Sequence, residues 1–442
     1  MTSAVAPNIT TTRNAVSMLI AGSFECSAEE LATAFTSVLF RAIQLTHFHH
    51  APMLRGEPLC CDCVTNPVLA LQSTGPMKIA QIAPPIESVP PRLYGGTERI
   101  VSYLTEELIA QGHDVTLFAS GDSITKAKLV PSCPQALRLN PAVRDPIPYY
   151  MLMLSQLRRQ ASHFDIMHFH IDQFHFPVFE DISQRVVTTM HGRQDMPDLK
   201  VLYAGFPDMN LVSISNAQRL PIQEIPVAAT VYHGLPRDLH SVSLIPRGGY
   251  LAFLGRISPE KRLDRAIAIA RAVGVPLKIA AKVDRVDEEY FRSEIEPLLQ
   301  LPGVEYIGEI DDQRKTGFLQ GARALLFPID WPEPFGLVMI EAMACGTPVL
   351  AFQNGSVREV IDEGVTGHVV RSVEEGILKM GSVLALDRGR VRRRFEERFT
   401  ATRMAKDYVK LYRSLIGGEV RRGSADVTIA RAEKAVDIAA VH

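Results

Sequence analysis

Two glutamates stand eight positions apart, Glu333 and Glu341, in the stretch WPEPFGLVMIEAMACGTPVLAF over Trp331–Phe352. An ionised carboxylate only accepts hydrogen bonds, and it can take both hydroxyls of a vicinal diol such as a ribose. Phe335, Val338, Met339, Ala342 and Met343 form an apolar stripe at helical spacing, with Pro334 suited to the first helical position. At ~100° per residue Glu341 lies about 200° round from Met339, off the core face. Glu333 falls at or just before the helix start, and the amides around Phe335, Gly336 and Leu337 would aim their N–H groups at an anion. The same residues also read as a solvated glutamate and an N-terminal acid favoured by the helix dipole.

A second set lies in FLGRISPEKRLDRAI, Phe253–Ile267. Ser258 and Pro259 suit the N-cap and first position of a helix over Pro259–Val273. Arg256 then lies in the loop and Lys261 in the first turn. A positive helix end flanked by Arg and Lys suits a diphosphate, and a first-turn lysine opposes the helix dipole, a local cost that hints at another task. An ordinary solvated turn is the other reading. Gly95-Gly96, after a strand and at the mouth of a helix over Thr97–Gln111, leaves the backbone open to close approach or marks a plain turn; Glu98 and Arg99 read as helix surface. His191, in TTMHGRQD, follows a strand end.

Two histidine clusters raise the question of metal. His168 and His170 put both rings on one face of a strand, with Asp172 and His175 nearby, which reads as a metal site or as strand-end packing and cleft lining. His47, His49, His50, Cys60, Cys61 and Cys63 could hold zinc, but their spacing matches no familiar ligand pattern.

The positioning elements follow an α/β rhythm. Strands are expected at Ile79–Ala83, Val115–Ala119, Ile166–Phe169, Val186–Met190 and Leu211–Ile214. The rhythm restarts near Gly248-Gly249, with strands at Tyr250–Leu254, Leu277–Ala281, Val304–Ile307, Ala324–Ile329 and Pro348–Phe352. Such alternation implies two doubly wound domains with ligands at the C-terminal strand ends. The expected organisation is an extension over 1–76, poorly ordered or an over-long start; an N-terminal domain over 77–245, completed by a helix at about 398–416; a C-terminal domain over 246–397; and a mobile tail over 417–442. The chain has 442 residues, 46% hydrophobic and 22% charged, with net charge −2. That balance carries no electrostatic footprint for nucleic acid. No apolar run reaches the ~20 residues of a membrane span. Six cysteines in a chain of this length do not read as a disulfide framework, so the cytoplasm is the expected compartment.

With its E-x7-E segment, its Arg256/Lys261 loop, Gly95-Gly96 and His191 in that family's order, the chain resembles the family 4 retaining glycosyltransferases over most of 77–416. The resemblance implies the GT-B fold: two Rossmann-like domains facing across a cleft. It implies a metal-independent transferase without a cofactor, moving sugar from a nucleotide-sugar donor (UDP-sugar favoured, GDP-sugar possible) to a glycan, lipid or small-molecule acceptor, with peripheral membrane contact for a lipid. It assigns Arg256 and Lys261 to the diphosphate, Glu341 to the ribose and Glu333 to the donor sugar. Phe335, Gly336 and Leu337 fall at the donor, Gly95 and Gly96 beside the phosphates, and His191 near the transferred sugar. Glu333, His191, Arg256 and Lys261 are the expected catalytic set. Relatives often have Asn where His233 stands. A non-catalytic nucleotide-sugar binder and a nucleotide-sugar epimerase of the same architecture are the competing readings. The absence of G-x-x-x-x-G-K-[ST] and G-x-G-x-x-G argues against a P-loop or a standard dinucleotide site.

Overall fold

Short apolar runs punctuated by glycine and proline build two parallel sheets, one after the other along the chain. The structure is a computed structural model that describes residues 75–92 and 95–418. The tail past Gly418, all but the end of the 1–76 extension, and with it the His47–Cys63 zinc reading, lie outside the described residues. The first sheet contains β1 (Lys78–Ile82), β2 (Asp114–Ser120), β3 (Lys128–Cys133), β4 (Ile166–Phe169), β5 (Val186–Thr189), β6 (Asn210–Ser213) and β7 (Ala229–Thr230), in the order β3-β2-β1-β4-β5-β6-β7. The second contains β8 (Tyr250–Ile257), β9 (Leu277–Val283), β10 (Val304–Tyr306), β11 (Ala322–Phe327), β12 (Val349–Phe352) and β13 (Gly367–Val370), in the order β10-β9-β8-β11-β12-β13. Central strands pair in parallel, Ile79 opposite Ile166 in the first sheet and Leu251 opposite Leu277 in the second. The order of each sheet reverses once, between β1 and β4 and between β8 and β11. Crevices for ligands open where strand order reverses, beyond the carboxyl ends of the strands.

Three strands have no counterpart in the sequence reading. β3 carries Pro131 within the strand, β7 is two residues long, and β13 begins with glycine. All three are edge strands, which need no long apolar run and tolerate residues a central strand would not.

Six helices matter for the site: α1 (Gly96–Ala110), α2 (Leu263–Ala272), α3 (Asp312–Gly321), α4 (Leu337–Ala344), α5 (Arg388–Arg398) and α6 (Ala401–Ile416). α1 stops where Gly112 adopts φ +87° and His113 N–H reaches back to the Leu108 carbonyl, a conformation that costs glycine little. The helix expected at about 398–416 is α6, with a separate α5 ending at Arg398 just before it; Thr400 caps α6 by accepting from Arg403 N–H. At this crossing Leu235 N–H donates to the Phe399 carbonyl and Ala401 N–H to the Leu235 carbonyl. α6 then packs Met404, Tyr408 and Tyr412 into one cluster with Ile79, Ile100 and Leu104, so the last described helix seals the first sheet. Among the described residues no helix is long and apolar enough to cross a membrane.

Candidate active site

A cavity of about 800 Å³ opens at the carboxyl ends of both sheets, a size suited to a small-molecule ligand. Every residue expected at the donor or in the catalytic set lines it: Gly95, Gly96, His191, Arg256, Lys261, Glu333, Phe335, Gly336, Leu337 and Glu341. They come from the carboxyl-end side of both sheets, from strand ends, loops and helix starts that follow the strands, so residues more than two hundred positions apart meet.

The C-terminal wall is built from charges that already have partners. Arg256 lies on β8 itself, not in the loop, because the strand continues to Ile257; its guanidinium pairs with Glu260 and lies 3.4 Å from Asp284. The expected helix from Pro259 is instead a short 3₁₀ turn, Pro259–Lys261, followed by Arg262 at φ 51° and only then α2. Ser258 makes no capping hydrogen bond, and Lys261 is not in an α-helical first turn, so the dipole argument for it fails. Bidentate pairing with Asp264, plus Asp330 at 2.8 Å, holds Arg262 in its left-handed conformation. The turn delivers Lys261 to Glu333, Nζ to Oε2 at 2.5 Å, with the ammonium 4.9 Å from the centre of the Trp331 ring. Trp331 Nε1 donates to the same carboxylate oxygen at 3.0 Å.

The loop after β11 also departs from the sequence reading. Pro334 does not begin the helix; Gly336 precedes α4 at φ +81°, and the helix starts at Leu337. The positive φ calls for glycine here; the Met339 methyl, 2.6 Å from where a Cβ would stand, could swing aside. Two hydroxyls pin this loop: Ser215 donates to the Pro334 carbonyl at 2.7 Å and Ser356 to that of Phe335 at 2.8 Å.

Glu341 is the largest correction on this wall. It is 5% exposed, not on an open helix face, because α3 packs against α4 there. Lys315 of α3 lies 2.7 Å from its carboxylate. Burial alone would raise its pKa, but Lys315, with His240 and Arg99, outweighs burial and holds it below the usual value. Lys315 also reaches Asp312 at 3.2 Å, and Asp312 pairs with Arg99 of α1. Arg99 and Glu98, read as helix surface, are in fact buried.

The N-terminal wall works differently. His191 follows β5, and its Nε2 lies 2.9 Å from His170 Nδ1. His170 Nε2 is 2.9 Å from Gln81 Oε1 on β1. An amide oxygen only accepts, so His170 carries its proton on Nε2, Nδ1 accepts from His191, and His191 keeps Nδ1 as an acceptor. His168 is engaged by Tyr412 and Thr189, both at 2.7 Å, and His175 by Thr188 at 2.8 Å. These histidines are therefore strand-end packing and cleft support; among the described residues no three His, Cys, Asp or Glu side chains are grouped to hold a metal ion. Burial drives His168, His170, His175 and His233 well below the usual histidine pKa, and His191 to about 3. The His233 ring stacks 5.3 Å from His191 and meets the edge of Phe335 at 5.0 Å, joining the two walls. Gln81 and Lys315 were not singled out from the sequence; their partners are 89 and 26 positions away, so no local pattern marks them, whereas His170 was marked by its His-x-His pair and read as cleft lining.

Comparison with known proteins agrees with this geometry. The "Glycosyl transferases group 1" family matches residues 239–399 and "Glycosyltransferase Family 4" matches 94–220. The chain is 25% identical over 353 residues to a phosphatidyl-myo-inositol mannosyltransferase of Propionibacterium freudenreichii, spanning 67% of this chain and 86% of that one. A shorter match, 34% over 113 residues, spans 26% of this chain and only 30% of the Mycobacterium leprae enzyme of the same name. Among solved structures, AviGT4, a glycosyltransferase of avilamycin A biosynthesis, superposes with TM-score 0.61 at 24% identity, covering 78% of this chain and 99% of its own. Anabaena HepE, solved with UDP and glucose, superposes with TM-score 0.58 at 15% identity, covering 76% and 98%. The chain belongs to the family 4 glycosyltransferases and is a sugar-transferring enzyme of GT-B architecture.

Proposed function

We propose that the enzyme takes its sugar from a nucleoside diphosphate, UDP ahead of GDP, and passes it to a hydroxyl of a glycan, lipid or small-molecule acceptor with retention at the anomeric carbon and without a metal ion or other cofactor. One observation carries this reading: the Lys261–Glu333 pair sits between Arg256 and the start of α4, with buried Glu341 on the same wall. A diphosphate entering there exchanges partners with the carboxylates. It takes Lys261 and Arg256, together with N–H groups at the start of α4 around Leu337, and releases Glu333 toward the donor sugar. Phe335 and Gly336 shape the floor, Gly95 and Gly96 keep the opposite wall bare, and Glu341 accepts from the ribose diol. His191, kept neutral, accepts a sugar hydroxyl through Nδ1. As the sugar–phosphate bond breaks, charge grows on the diphosphate where cations already stand, usually the largest catalytic contribution. The acceptor attacks on the face the phosphate leaves, and closure of the cleft excludes water. The UDP held by the Anabaena neighbour supports the choice of base; the mannosyl name of the relatives leaves the sugar open. The protein acts in the cytoplasm, touching a membrane peripherally where the acceptor is a lipid.

The test is nucleotide release from UDP-glucose, UDP-N-acetylglucosamine, GDP-mannose and ADP-glucose, with and without EDTA, in wild type and Glu333→Ala. Release from one donor, unaffected by EDTA and lost in the variant, is expected, with the anomeric proton coupling of the product reporting retention. Nucleotide bound but never released would make the protein a binder. Conversion of the free donor sugar without transfer would make it an epimerase.

A further inference from the structure

Glu98 occupies the third position of α1, directly after Gly95-Gly96, and lines the cavity at 6% exposure. Apart from its own N–H, no hydrogen bond or ion pair engages its carboxylate among the described residues. Its Oε2 folds back over Gly95, 3.1 Å from where a Cβ would stand, and a Cβ on Gly96 would lie 3.7 Å from Leu337 Cδ1 on the opposite wall. The carboxyl therefore sits beside a point where the two walls approach closely. Its charged neighbours do not neutralise it: Arg138 is committed to Glu87 at 2.9 Å, Arg99 pairs with Asp312, and the Tyr150 phenol is uncharged. A carboxylate has about four acceptor positions; one at a helix mouth with a single intraresidue bond and an open cavity in front of it serves more than capping.

We propose that Glu98 is the proton-receiving residue of this cleft, taking the proton that the acceptor hydroxyl loses during transfer. The proposal rests on the donor reading above. In the step, the acceptor oxygen bonds to the anomeric carbon. The bond from that carbon to the phosphate oxygen breaks, and its electron pair stays on the phosphate. The acceptor's proton ends on Glu98, either directly or after passing the phosphate oxygen. The departing diphosphate gains one negative charge next to Glu98, which raises the proton affinity of the carboxyl at the moment a proton is available. Burial already pushes its pKa up to about 7, with Glu87 adding to the effect and Arg138 and Arg99 opposing it, so the group exchanges protons near neutrality, as such a role requires.

UDP is the product on this reading, so its complex reports the protonated end state. Titration calorimetry with UDP in phosphate and in Tris, at about pH 7.5, measures protons taken up on binding. Wild type is expected to take up about half a proton or more beyond Glu98→Gln, and its UDP affinity to fall by up to about tenfold per pH unit above neutrality relative to that variant. Equal uptake in the two proteins overturns the proposal. An isotope-edited titration of the free protein, wild type minus Glu98→Gln, stands independently of any ligand. A carboxyl titrating near neutrality supports the assignment, and one titrating with ordinary glutamates overturns it. Absence of binding by both UDP and GDP would instead fell the donor reading, and the titration would still decide whether Glu98 exchanges protons as described.

Discussion

The two walls of the cleft solve opposite electrostatic problems. The C-terminal wall stores charge in pairs: Lys261 with Glu333, Lys315 with Glu341, Arg256 with Glu260. Each pair satisfies itself until a ligand offers a better partner, so the wall stays ready for an anion without leaving charges bare. On the N-terminal wall Arg99 and Arg138 are likewise paired, with Asp312 and Glu87, but the histidines stay uncharged. Its histidines are buried, neutral and linked to one another and to Gln81, Thr189 and Tyr412, and Glu98, a cavity carboxylate with no side-chain partner among the described residues, is held close to protonation. A leaving diphosphate needs fixed positive charge on one side; a sugar and its acceptor need directed acceptors and a place for a proton on the other.

The largest effect expected to test this contrast is acid lability. Histidines whose folded pKa lies below the unfolded value of about 6.5 bind fewer protons when folded, so their contribution is complete above that pH and is lost as pH falls below it. Each contributes up to about 1.4 kcal/mol per pH unit, and His168, His170, His175, His191 and His233 act together. Glu98 opposes them, because a raised carboxyl pKa favours the fold as pH drops from about 7 toward its unfolded value. Urea unfolding at pH 7.5 and 5.5 should show a steep loss, made steeper by Glu98→Gln; a flat profile would mean the histidines are not buried and neutral.

Next in size is Glu341→Ala, which strands Lys315 in a buried site. Breaking a buried pair costs about 3–5 kcal/mol, and the lower end, about 3 kcal/mol, is expected because Asp312 still lies 3.2 Å from Lys315. Replacing both partners with Met should restore most of the thermal stability while leaving UDP binding impaired; restored binding would remove Glu341 from the donor site. Lys261→Ala should weaken UDP about tenfold to a hundredfold, as a lost charge-assisted bond worth about 1.5–3 kcal/mol would. Unchanged affinity would sink the diphosphate assignment. Smallest is Ser215→Ala, which removes the hydroxyl that donates to Pro334 and caps its own helix by accepting from Gln218 N–H. About 1 kcal/mol of stability should go, with the Michaelis constant for donor rising more than kcat falls, since the loop it anchors carries Glu333.

The sequence placed the site loops well and the orientation of their side chains poorly. Arg256, Lys261, Glu333 and Gly95-Gly96 all face the cavity as read, yet the helix starts at Pro259 and Pro334 were both misplaced. In each case a left-handed residue, Arg262 or Gly336, delays the helix; proline suits a 3₁₀ turn or a loop as readily as a helical first position, and local sequence does not separate them. Glu341 and Glu98 were assigned to open faces because the periodicity of one helix says which side is apolar but not what packs on the other.

By itself, the amino-acid sequence determined the strand-helix alternation, the two sheets and the loops that carry chemistry, because apolar periodicity and glycine-proline punctuation act over a few residues. Only the tertiary structure decided which of those charges are buried and paired. That depends on α3 meeting α4, on α1 facing α3 across the cleft, and on β1 lying beside β4 so that Gln81 and His170, 89 positions apart, share a proton. Burial and the pKa values it sets come from neighbours brought together across the chain.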